Sequence, residues 1–160
     1  MATTFKALYA NAGSALTVSL NSLATNGYRQ SDEVDNTTVL ALDSQIILYI
    51  QTTASGVVAT GYVPVFAFGQ VGDATPIRTD TMGAADAAVD KPANSRLIGV
   101  LQANSTNGTY AGGPWSVAAA FGGVLPRKWG VIVGNVTGAA FSNASSANQC
   151  FFINIQGQGV

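Results

Sequence analysis

Six consecutive residues, Ser31-Asp32-Glu33-Val34-Asp35-Asn36, hold the densest set of oxygen ligands in the chain. Calcium takes carboxylates and Asn carbonyls at such spacings. The stretch lacks the central glycine and the distal bidentate glutamate of a helix–loop–helix calcium loop. A turn whose carboxylates accept hydrogen bonds from nearby backbone N–H groups fits it better than a structural cation held by Asp32, Glu33 and Asp35. No metal site is expected. Glycoside hydrolysis needs two carboxylates facing each other across a cleft, one with a raised pKa. The 8 acids are spread along the chain, so a pair such as Asp43 with Asp86 would have to be assembled by the fold.

The chain has no histidine. That excludes a Ser-His-Asp triad, a His-containing zinc site and a Cys-His pair. The glycine-rich pieces Gly112-Gly113-Pro114 and Phe121-Gly122-Gly123 lack the Gly-Lys-Ser/Thr ending of a phosphate loop and read as sharp corners. The single Cys150, in Cys150-Phe151-Phe152-Ile153, can form no internal disulfide and reads as a small buried apolar residue. Trp115, Trp129, Tyr62 and Tyr110 are candidates for a sugar-stacking platform. Both tryptophans begin apolar runs, which fits a core or subunit-interface position better. No catalytic residue and no cofactor site are expected. Sequons at Asn36, Asn104, Asn107, Asn135 and Asn143 arise by chance in a chain this rich in Asn, Ser and Thr.

Composition points away from catalysis. Only 7 basic and 8 acidic side chains occur in 160 residues, 9% in all, against about 25% in average globular proteins. Enzymes work through titratable groups with adjusted pKa values, and few are on offer. So few charges also leave much of the surface to be covered by copies of the chain or by a larger partner. The net charge is -1, with the cations scattered, so nucleic acid is not an expected partner. The longest apolar stretch, Val117 to Leu125, falls short of the ~20 residues of a membrane span, so no membrane is expected either. The start, Met1-Ala2-Thr3-Thr4-Phe5-Lys6, has no signal-peptide pattern, which predicts a soluble chain made in a cytoplasm.

The pattern predicts β-structure almost throughout. Leu16, Val18 and Leu20 alternate with polar residues, as in a half-buried strand. Further strands are read in Thr38 to Thr52, with a break at Asp43-Ser44, and in Gly61 to Gly69. More follow at Arg96 to Leu101, Tyr110 to Phe121, Lys128 to Val133 and Gln149 to Ile155, before a polar tail. Pro64 lacks a backbone N–H and predicts an edge strand or a bulge. Asn107-Gly108 is a strong hairpin signal. Residues 71–94, rich in Asp, Ala, Thr and Gly, read as a long excursion, with a helical turn around Ala84 to Ala88. Loops this long are uncommon without a job. The chain is expected to be a single all-β domain, an antiparallel β-sandwich, jelly-roll-like because its connections vary too much in length for a plain meander. Residues 1–9 are read as a short N-terminal arm.

The ordered segments Gly61-Tyr62-Val63-Pro64-Val65-Phe66-Ala67-Phe68-Gly69, Arg96-Leu97-Ile98-Gly99-Val100, Gly113-Pro114-Trp115 through Leu125-Pro126, and Trp129-Gly130-Val131-Ile132-Val133 through Ala140 carry a resemblance. The chain resembles small structural proteins of tailed bacteriophages, above all those that decorate or cement the head. The likeness covers roughly Leu16 to Phe141 and is one of segment order, without a catalytic motif. It implies a jelly-roll-like fold, self-association, often as trimers, and docking on the major capsid protein at the head surface of the virion. A neck, tail or fibre position and a lectin-like domain are the alternatives. The arm and the excursion are expected to make the intermolecular contacts, through the isolated anchors Phe5, Leu8, Tyr9, Ile77 and Met82.

Overall fold

The structure, a computed structural model, describes residues 5–10, 12–71, 77–144 and 146–159. β-branched and aromatic runs broken by Gly, Asn and Pro form short strands rather than helices. Among the described residues there are twelve: β1 (Phe5–Tyr9), β2 (Ser14–Leu16), β3 (Tyr28–Gln30), β4 (Val34–Asp35), β5 (Asp43–Gln51), β6 (Tyr62–Val71), β7 (Ile77–Arg78), β8 (Ala87–Val89), β9 (Arg96–Gln102), β10 (Thr109–Ser116), β11 (Lys128–Gly134) and β12 (Gln149–Gly159). Two 3-10 turns, Thr79–Thr81 and Ala118–Phe121, are the helical elements among the described residues.

The strands form two antiparallel sheets. In the first, β1 and β2 both lie along one edge of β12, followed by β5 and then β10. In the second, β7 and β9 share one edge of β6, β11 follows, β3 and β4 share its far side, and β8 closes the row. The all-β sandwich is therefore what the sequence predicts. Its core lies between the sheets, built by Ile46, Leu48 and Ile50 of β5, Val63 and Val65 of β6, and Trp129 of β11.

A second, smaller apolar cluster sits on the outer face of the second sheet. Phe68 and Ile132 face away from the main core and are covered by Met82, with Tyr28 beside them. Gly130 makes this possible: a Cβ there would lie 2.3 Å from the Phe68 ring.

Several expectations shift. Asp43 begins β5 rather than breaking a strand. The helical turn expected at Ala84 to Ala88 is absent: a 3-10 turn lies earlier, at Thr79–Thr81, and Ala87–Val89 is a strand. The Asn107-Gly108 turn does not close a hairpin. β9 pairs with β6 and β10 with β5, so this turn crosses between sheets, held by the Asn107 N–H donating to Thr53 O. Pro64 lies in a strand flanked on both sides rather than at an edge, in register with Val100; the β6–β9 register slips further on, between Val65 and Phe66. The polar tail is strand as far as Gly159, because residues 5–9, expected as an arm, pair with it.

Candidate interaction surfaces

The acidic stretch at 31–36 ties the long excursion to the second sheet. Asp32 accepts the Asp86 N–H (2.7 Å). Glu33 pairs with Arg78 (2.5 Å) and with Lys128 (3.5 Å), and both Glu33 and Arg78 are largely buried. Asp35 takes hydrogen bonds from the Thr37 side chain and from the Thr37 N–H (2.7 Å), and these, the side-chain bond first, hold its carboxyl below the usual value. Asp35 takes the local N–H-accepting role expected of the stretch, Asp32 accepts a distant N–H, and Glu33 is ion-paired instead. Among the described residues no group of three or more His, Cys, Asp or Glu is placed to hold a metal ion.

From the other side, Gln30 accepts the Gly83 N–H (3.0 Å) and donates to Ala85 O. Asp86 receives Arg29 through Nε (2.6 Å) and Nη2 (3.1 Å), and also the Ser19 hydroxyl. Burial pushes the Asp86 carboxyl up, but the Arg29 and Ser19 hydrogen bonds outweigh it and the net shift is downward. Asp80 closes the excursion on itself. Its carboxylate accepts the backbone N–H groups of Asn94 (2.9 Å) and Ser95 (2.6 Å), the Ser95 hydroxyl (2.7 Å) and the Asn94 amide (3.0 Å). Burial acts against ionisation, yet these donors bring the Asp80 carboxyl down to about 2.

The described part of the excursion is thus docked, and Met82 is not the free anchor expected of it. Met82 is 8% exposed, packed within its own chain against the outer face of the second sheet. The reason is that β6 and β11 are apolar on both faces there. Ile77 lies on the edge strand β7, opposite Val71, and its side chain, like that of Phe5, lies outside the described residues.

The remaining candidates separate. Asp43 accepts the Ala118 N–H (2.8 Å) while Asp86 holds Arg29, so the fold gives these two carboxylates different partners. Trp129 is 1% exposed and meets Phe152 edge-on in the core. Trp115 is half-buried over Gly99 and lines a groove of about 530 Å³ with Arg96, Leu97 and Ser116. Tyr110 holds its own turn through Ser105. Burial pushes the Cys150 thiol up to about 12. No helix of the described residues is long and apolar enough to cross a membrane.

What brings expected residues together is the first sheet. Along β5, residues 44, 46, 48 and 50 face the core, which turns Ile47 and Tyr49 outward. Phe151 lies opposite Ile47, and Ile155 opposite Asp43. Tyr49 and Phe151 meet edge-to-face at 6.0 Å. Tyr9 of β1 extends the row, opposite Ile155. The outer face therefore carries Ile47, Tyr49, Phe151, Ile153, Ile155 and Tyr9 among the polar Asp43, Gln45, Gln51 and Gln149, more apolar area than an antiparallel sheet facing water usually shows. Continuous rather than alternating apolar runs at Ile46 to Ile50 and Cys150 to Ile153 are the sequence signal for this face.

Beyond Ile155 the sheet narrows to two strands. Leu42 N–H donates to Ile155 O (2.7 Å), and β5 begins at Asp43. From there β12 continues with β1 alone, Leu8 opposite Gln156 and Lys6 opposite Gln158. Lys6, Ala7, Leu8 and Tyr9 are all exposed, Leu8 by 46% and Tyr9 by 56%. Leu8 and Tyr9, two of the predicted contact residues, thus stand on a ribbon whose faces are open.

Compared with known protein families, curated proteins and solved structures, the chain matches none.

Proposed function

We propose that this chain is a non-enzymatic structural protein of a virus particle, one that self-associates and binds the major capsid protein on the outer surface of the head. The apolar outer face of the first sheet, continued by the open β1–β12 ribbon, carries this reading. A face rich in aromatic and β-branched side chains with so little charge suits permanent cover better than solvent. Strand order supports the jelly-roll part of the proposal. The order β2-β12-β5-β10 faces β9-β6-β11-β3, so β2–β12, β3–β11, β5–β10 and β6–β9 read as one long ribbon wound on itself. The resemblance to head-decorating phage proteins, which implies self-association, points the same way. Repeated weak contacts from an oligomer would hold it by effective concentration, and binding only the assembled shell would stabilise that shell.

Co-sedimentation with head shells lacking this protein tests the reading. The full chain is expected to pellet with the shells, and a chain without residues 1–9 to pellet less while keeping its β-type circular dichroism. Failure of the full chain to bind would overturn a head position and favour the neck, tail or fibre. A carbohydrate-binding reading rests on the Trp115 groove, and glycan-induced change in tryptophan emission would favour it.

A further inference from the structure

The β1–β12 ribbon is an incomplete element. A two-stranded antiparallel ribbon is marginal in water without a third strand or a packed face, and the described side chains of β1 have neither. Its backbone specifies what is missing. Ala10 N–H donates to Asn154 O (2.9 Å), which makes 10 and 154 a hydrogen-bonded pair. Such pairs alternate along an antiparallel ladder. Lys6 and Leu8 therefore turn their N–H and C=O toward β12, and Phe5, Ala7 and Tyr9 turn theirs outward. This edge is unpaired among the described residues, and an open edge of this kind takes another extended strand.

We propose that the outer edge of β1 pairs antiparallel with β1 of a second copy, about a two-fold axis at Ala7. The inference names the surface for the self-association proposed above and rests on that part of the reading. The register is self-complementary. Ala7 falls opposite Ala7 of the second copy, and Phe5 falls opposite its Tyr9. These are the outward-facing residues of both strands, so each pair exchanges both of its hydrogen bonds. Phe-Lys-Ala-Leu-Tyr is near-palindromic in side-chain size about its alanine. By residue type this register sets an aromatic against an aromatic on each side of a small centre, pairs that cross-strand neighbours favour. Lys6 is the one charge on β1, and this register sets it opposite Leu8 of the second copy, so like charges do not oppose. Isologous two-fold pairing closes on itself and leaves no growing edge.

The test uses the full chain in light scattering after gel filtration. Wild type is expected at twice the monomer mass. Ala7→Pro removes only an outward N–H, so β1–β12 pairing survives and the variant is expected as a folded monomer. Ala7→Cys gives a second, fold-preserving readout. Cα atoms of a hydrogen-bonded pair lie about 5.5 Å apart, within disulfide reach, so mild oxidation is expected to cross-link it as a dimer, whereas Lys6→Cys is not. An oligomer, trimer included, whose mass survives Ala7→Pro and whose Ala7→Cys form does not cross-link overturns this pairing and leaves self-association standing. A monomeric wild type overturns both.

Discussion

Replacing Asp80 by asparagine isolates the hydrogen-bonded knot that closes the excursion. Asp80 sits at φ 53, in the left-handed region that Asp and Asn both tolerate, so Asp80→Asn keeps the backbone and removes the charge. Its carboxyl lies at about 2 rather than 3.8 because Ser95 and Asn94 donate to the ionised form against the cost of burial. At about 1.36 kcal/mol per pH unit this is worth at most about 2.4 kcal/mol of stability. The side chain is partly open to solvent, and screening reduces this to ~1–2 kcal/mol. For a chain this long that is roughly 2–8 °C in Tm. A depressed carboxyl contributes fully above its unfolded value of 3.8 and loses the contribution as pH falls through about 2. Thermal unfolding of wild type and Asp80→Asn, followed by circular dichroism from about pH 7 to about pH 2.5, should show the variant less stable at neutral pH and the gap closing below about pH 4. A gap of the same size at both ends, or none at neutral pH, would refute the reasoning.

Glu33→Ala leaves Arg78 largely buried without this carboxylate; unfolding in urea should show a loss of up to about 3–5 kcal/mol, with faster proteolysis between residues 78 and 89. Gly99→Ala puts a Cβ 2.2 Å from the Trp115 indole, so the ring must leave. The expected cost is about 1–3 kcal/mol, with tryptophan emission shifted to the red. Cys150 is 2% exposed with its thiol at about 12; it should stay silent to a disulfide reagent at neutral pH until the protein is denatured.

The strands were legible where burial makes a pattern. Ile46 to Ile50, Gly61 to Gly69 and Trp129 to Val133 are continuous apolar runs. The excursion was legible as a segment from its Asp, Ala and Gly content, but its docking was not. Arg78 reaches back 45 residues to Glu33, and Arg29 forward 57 to Asp86, and nothing local marks such pairs. The same distance hid the second apolar cluster, so Met82 read as a surface anchor. Residues 1–9 read as an arm because they are poor core material with isolated apolar anchors. The strand state of β1 comes from pairing with the far end of the chain. The predicted contact residues Leu8 and Tyr9 do share one exposed element, though Phe-Lys-Ala-Leu-Tyr alone could not reveal which edge it borders. The outer face of the first sheet was visible as runs lacking polar alternation, yet which residues share it depends on the β5–β12 register.

Quantitative mass spectrometry of purified particles from the virus or cell that encodes this chain tests the central claim most directly. A head-surface structural protein predicts hundreds of copies per particle, in fixed proportion to the major capsid protein. A handful of copies would place it at the neck or tail, and its absence from particles would contradict the account.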